Sequence, residues 1–215
     1  MSNAENGEPS VAEPKRLVEK KTSYHHGDLR LQLLEAVRQL VEDHGPDGFS
    51  IAEACRRAGV STAAPYKHFR DRGEIMRGVV QLGMARLRGA MQEAADAHPP
   101  GSPERIVALG RSYIAFARSE PGVFRMVFGL TEGHEADAEL TRQGEETLGI
   151  VEGVVGDFLG IDPASPEARL RAYALWCLVH GHGFLVIDDK LSEKGPAIDE
   201  TAFLTLVGTA MLSRH

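Results

Sequence analysis

Tyr66, Lys67 and His68 stand side by side in the stretch AGVSTAAPYKHF (58–69), directly after Thr62, Ala63, Ala64 and Pro65. A phenol, an ammonium and an imidazole can each donate a hydrogen bond to a phosphate oxygen, and such contacts fix register without reading base sequence. The short side chains ahead of them let a backbone come close to another surface. An alanine or a threonine methyl can also touch a thymine methyl in a major groove. The chemistry on offer is recognition of a duplex, with few hydrogen bonds to bases, so part of any specificity is expected from DNA shape. Phe69 reads as core, packing with Val60. Arg72 stands at the start of the next helix, whose free N–H groups offer a further phosphate site.

The other chemistry-bearing residues point to less. His180 and His182 are two apart, so on a helix they point about 200° from each other and cannot share an ion. No paired ligand spacing such as His-x-x-x-His or Cys-x-x-Cys occurs, so no metal site and no cofactor is expected. His180 lies one turn after Trp176, and reads as a buried, hydrogen-bonded structural histidine or as a polar group lining a pocket. Tyr113, Phe116, Phe124, Phe128 and Trp176, with His180, are candidate walls of an apolar ligand cavity, and each reads equally well as plain core. Cys55 and Cys177 read as reduced core residues. An enzyme with a His-dependent site is the alternative class, but no nucleophile–base motif and no glycine-rich phosphate loop is found.

These residues need elements to hold them. Asp28 can cap a first helix whose Leu29, Leu33, Leu34, Val37, Leu40 and Val41 share one face. Ser50 to Glu53 reads as a capping box opening a second helix, with Phe49 as its staple and Gly59 as its left-handed stop. Ser61 or Thr62 is expected to cap a third helix with a tight first turn at Pro65, which cannot donate an N–H. A fourth opens at Asp71 and runs to His98. Further helices follow Pro103 and Pro121, span about Glu135 to Leu159, begin at Pro163 or Pro166, and close the chain from about Ile198 to Leu212. The expectation is all-α, about nine helices and no sheet.

Charge divides the chain as the helices do. Residues 15–88 carry 14 Lys/Arg against 9 Asp/Glu, and residues 89–215 carry 10 against 19, beneath an overall charge of −7. A basic segment followed by an acidic one suggests two tasks. The first 22 residues read as a disordered tail, 23–88 as a DNA-binding unit and 89–215 as a second, larger domain. No secretory signal is seen and no apolar run approaches the roughly 20 residues of a membrane span, so a cytoplasmic protein without membrane contact is expected.

A helix, a short turn with Gly59-Val60-Ser61 and a second helix form the pattern of a helix-turn-helix. At FSIAEACRRAGVSTAAPYKHFRDRGEI (49–75) the sequence resembles the TetR family of bacterial transcription regulators, over about Gly27 to Leu87. LWCLVHGHGFLVID (175–188) and FRMVFG (124–129) resemble the Trp-His-Gly subfamily of its C-terminal domains. The resemblance implies a repressor that binds a palindromic operator in double-stranded DNA as a homodimer paired through its last two helices, released by an unknown small-molecule ligand. It assigns DNA contacts to Ser50, Thr62, Ala63, Ala64, Tyr66, Lys67, His68 and Arg72, and an N-terminal arm to Tyr24, His25 and Arg30.

Overall fold

The computed structural model describes residues 26–129, 137–191 and 198–213. Among them are eight α-helices, one 3-10 turn and no strand: α1 (His26–His44), α2 (Ile51–Arg57), the 3-10 turn Pro65–Lys67, α3 (Arg72–Asp96), α4 (Pro103–Ser119), α5 (Pro121–Phe128), α6 (Ala138–Leu159), α7 (Pro166–Ile187) and α8 (Glu200–Leu212). The expected all-α fold is the observed one. Tyr24 and His25 lie outside the described residues, as does the side chain of Asp28.

Spacing explains the first helix. Leu33, Leu34, Val37, Leu40 and Val41 recur at three and four residues and are all buried, which is the stripe an amphipathic helix turns toward a core. Ser50 accepts the Glu53 N–H at 3.1 Å and opens α2. Its end is set by Gly59 at φ +67°. The Val60 N–H reaches the Cys55 carbonyl at 2.9 Å and the Gly59 N–H reaches Arg56 at 3.2 Å. This paired closure needs the left-handed residue, and a Cβ at Gly59 would meet nothing within 4 Å, so backbone conformation and not space demands glycine there.

The third helix is where the structure departs from expectation. In place of a helix capped by Ser61 or Thr62, the chain makes a turn closed by the Ala64 N–H on the Ser61 carbonyl at 3.0 Å. The 3-10 turn follows, with the Lys67 N–H on Ala64 at 3.2 Å, and the His68 and Phe69 N–H groups on Pro65 at 2.9 and 2.8 Å. The cause is Pro65. It has no N–H for the Ser61 carbonyl, and its ring would collide with that carbonyl in an α-helix. Ala64 nevertheless keeps helical angles, φ −62° and ψ −41°.

Helix α3 spans the chain's two halves. Asp71 caps it by accepting the Glu74 N–H at 2.7 Å. It packs on α1 at one end and on α4, α5 and α6 along the rest, and α7 and α8 complete the larger unit against α4 and α6. Helix α7 is 22 residues long and apolar enough to cross a bilayer by length and composition, contrary to the expectation that no such run exists. Its contacts with α4, α6 and α8 bury only part of that apolar surface, and Leu170, Tyr173, Leu178 and Leu185 stay exposed.

The joint between the halves is polar. Glu120, 8% exposed, accepts from Arg86 Nε at 2.8 Å and Nη2 at 2.5 Å, and stands 4.0 Å from Arg38 of α1. Glu42 of α1 accepts the first free N–H groups of α5, from Gly122 at 2.7 Å and Val123 at 2.9 Å, a favourable place for a carboxylate. Removing one partner of a shielded, bidentate pair leaves the other charge stranded. Glu120→Gln is therefore expected to cost about 2 to 3 kcal/mol. Arg57→Ala, which breaks an exposed pair with Asp43, should cost under about 1 kcal/mol. Urea unfolding of both variants checks the contrast.

Candidate DNA interface and ligand cavity

The segment between α2 and α3 presents its polar groups outward. Thr62, Ala63, Tyr66 and Lys67 are exposed, while Ala64 and His68 are half-buried. Tyr66 is 68% exposed, an unusual position for an aromatic ring without a partner surface. Pro65 and Phe69 are buried beneath it, so the turn is pinned from below and displays Tyr66 and Lys67 above. Arg56 and Lys67 are exposed and have no acidic partner among the described residues; Arg77 is exposed and forms no salt bridge there, though its charge acts on nearby Glu74.

Two expected contacts carry a second load. Ser50 is exposed but its hydroxyl is already the α2 cap. The Arg72 guanidinium donates to the Pro46 carbonyl at 2.6 Å and lies 4.6 Å over the Phe49 ring. It thereby clips the start of α3 to the turn before α2. Arg30, expected in an arm, sits 5.0 Å over the Phe69 ring. Arg56 and Arg77 are not among the expected contacts, and their exposure follows from their position on the outer faces of α2 and α3.

The larger unit holds a half-open cavity of about 420 Å³, a size typical of small-molecule sites. Tyr113, Phe128 and Trp176 line it, joined by Met84 and Met91 of α3, Leu140 and Leu148 of α6, and Phe203 of α8. Phe116, Phe124 and His180 do not line it. They pack behind it, because Phe124 fills the space between α4, α5 and α7 completely. The apolar stripes of α3, α6 and α8 carry no mark that separates a cavity wall from plain core.

Behind that wall runs a chain of hydrogen bonds. Trp176 Nε1 donates to Tyr113 Oη at 3.4 Å, and Tyr113 Oη lies 2.7 Å from His180 Nδ1. Because the phenol accepts from the indole, its own proton is free to go to a neutral His180, which then carries its ring proton on Nε2. Burial raises the Tyr113 pKa strongly and lowers that of His180. The Phe124, Phe128 and Phe184 rings stand 5.0 to 5.8 Å from the imidazole. A histidine depressed on folding stays neutral while the unfolded chain takes up protons. Its contribution is thus present above the ordinary value of 6.5 and lost as pH falls below it. Stability should drop between about pH 7.5 and about pH 5.5, and His180→Phe should shrink that drop; urea midpoints at the two pH values measure it.

His182 points elsewhere. It is buried, stacks on Phe203 with centroids 4.7 Å apart, and has Glu200 at 3.9 Å, itself paired with Arg118. The two histidines serve different sides of α7, and among the described residues no group of three or more metal-ligating side chains is gathered. Both cysteines are free; Cys55 is core, but Cys177 is exposed, since α7 turns that face away from its own domain.

Residues 33–79 match the sequence family described as "Bacterial regulatory proteins, tetR family", and residues 106–209 match that described as "Tetracyclin repressor-like, C-terminal domain". The chain belongs to the TetR family. Among curated relatives, the HTH-type transcriptional regulator BetI of Escherichia coli is 34% identical over 76 residues, 35% of this chain and 39% of the relative. The chain thus spans about two fifths of the length of the curated relatives it matches. A Rhodococcus sp. RHA1 protein of unknown function has a similar structure, with a TM-score of 0.73 and 26% identity over 89% of this chain and 97% of the other. The transcriptional regulator FadR of Bacillus subtilis, in complex with stearoyl-CoA, shares the fold at a TM-score of 0.65 and 14% identity, over 85% of this chain and 97% of that one. As a TetR-family chain, this molecule shows a departure at the segment where its helix-turn-helix resemblance implies a recognition helix, which here is a 3-10 turn begun by Pro65.

Proposed function

We propose that this TetR-family chain is a cytoplasmic DNA-binding transcriptional regulator, acting as a repressor on a palindromic operator and released when a small molecule fills the cavity. It is read as a binding protein and not a catalyst. The observation that carries the reading is physical continuity between the two sites. Helix α3 bears Met84 and Met91 on the cavity and ends at Arg72 beside the exposed turn. Helix α5 bears Phe128 on the cavity and is held at its other end by Glu42 of α1. A ligand that favours one placement of α3 and α5 moves the display of Tyr66 and Lys67. It can do so only by its differential affinity for the two states.

A homodimer through α7 and α8 is part of the proposal. Leu170, Tyr173, Cys177, Gly181 and Leu185 recur on one exposed face of α7, and Leu206 is exposed on α8. Leu170 and Leu206 are each 68% exposed, and a stripe of that kind asks for a partner. Two-fold pairing would set two turns at the spacing of a palindrome's half-sites. The test is sedimentation of Leu170→Glu and Leu206→Glu variants beside gel shifts on DNA flanking the gene. Monomers with weakened DNA binding support the proposal; dimers in both variants would contradict the assigned interface.

A further inference from the structure

Resting on the ligand-responsive reading above, the polar atoms of the cavity wall narrow what it holds. Among the described residues, five lining side chains carry nitrogen or oxygen atoms: Tyr113, Thr141, Glu145, Thr147 and Trp176. Four are already engaged within the protein. Trp176 donates to Tyr113, Tyr113 meets His180, Thr141 donates to the Asp137 carbonyl at 3.2 Å, and Thr147 donates to the Gln143 carbonyl at 2.7 Å. The Glu145 carboxylate alone among the five has no basic or hydrogen-bonding partner among the described residues. Its neighbours on α6 differ: Glu139 is paired with Arg142 at 2.5 Å, and Glu146 with both Arg142 and Arg88.

Among the described residues no lysine, arginine or histidine lines the cavity, so none of them meets a carboxylate or phosphate there. The remaining wall is aliphatic and aromatic, with Tyr113, Phe128, Trp176 and Phe203 supplying rings. Ring faces attract a cation within about 6 Å of their centres, and the carboxylate of Glu145, an exposed residue on the cavity lining, attracts the same charge. We infer that the cavity takes a lipophilic monocation, an apolar body carrying one ammonium or similar group whose charge is met by Glu145.

The chain's single tryptophan is Trp176, on the cavity wall, so its fluorescence reads occupancy. The experiment titrates the full chain with decyltrimethylammonium, 1-decanol and decanoate, each below micelle formation, and follows DNA release in the same samples. The cation should bind at least about tenfold more tightly than decanoate, with decanol between. Glu145→Gln should lower the cation-to-alcohol ratio by about 3- to 10-fold and leave decanol binding within about twofold. Glu145→Lys should improve decanoate. Equal or tighter decanoate binding, an unchanged ratio in Glu145→Gln, or no binding of any of the three overturns the inference. Cation preference without DNA release upholds it and sinks the ligand-responsive reading; DNA release by decanoate with no cation preference does the reverse.

Discussion

Phe124→Ala is expected to destabilise the protein by about 3 to 5 kcal/mol, more than any other single side-chain truncation considered. Phe124 is 0% exposed. Its ring packs against Tyr113, Phe116, Phe128, His180 and Phe184, with centroids 4.9 to 6.4 Å apart. Helices α4, α5 and α7 all meet there, so no one of them can collapse into the space without dragging its neighbours. The loss includes the buried area, the residual cavity and part of the edge-to-face ring contacts, each worth about 0.5 to 1.5 kcal/mol beyond burial. For a chain of this size the melting temperature should fall by about 10 °C. Phe124→Leu, which keeps most of the volume, should lose less than half as much. Urea unfolding with an unchanged slope distinguishes lost packing from a changed unfolded state. A loss under about 1 kcal/mol would mean that the aromatic cluster is not the keystone of the larger unit.

Lys67→Ala and Tyr66→Ala should act the other way, leaving the fold alone and weakening DNA binding. Both side chains are exposed and neither has a partner among the described residues, so stability should change by no more than about 0.5 kcal/mol. In the proposed dimer each substitution occurs twice on DNA. At about 1 kcal/mol per phosphate contact the affinity should fall about 30-fold. The two separate on salt. Lys67→Ala removes a cation from each half-site and should flatten the slope of log affinity against log salt by about 2. Tyr66→Ala removes a neutral donor and should weaken binding with the slope intact. Arg72→Ala is a mixed case, since its guanidinium also holds Pro46 and covers Phe49. Its loss should lower stability and affinity together.

The helical order was readable because its signals are local. Ser50, Gly59, Asp71 and the prolines at 103, 121 and 166 stop or start helices through their own backbone chemistry, and all stand at the observed ends. Pro65 was recognised as a disturbance, but its full consequence depended on competition between a missing N–H and two successive i→i+3 closures. The double use of Arg72 depends on a contact 26 residues away, and local pattern holds no trace of it. The same holds for the cavity. Phe116 and Phe124 look like wall residues in a sequence, yet which apolar side chain faces a void is decided by how α3, α6 and α8 stand around it. Glu145 could not be singled out either, because spacing alone does not tell that Arg142 on the same helix pairs with Glu139 and Glu146, nor that Arg88 of α3 joins Glu146.

The most direct test of the central claim is selection of bound duplexes from a random pool by the full chain at low ionic strength. An inverted repeat with half-sites about 34 to 36 Å apart or a multiple of that is expected, with enrichment lost in the Tyr66→Ala, Lys67→Ala double variant. Retention of no duplex of any sequence, or equal enrichment by the double variant, would contradict it.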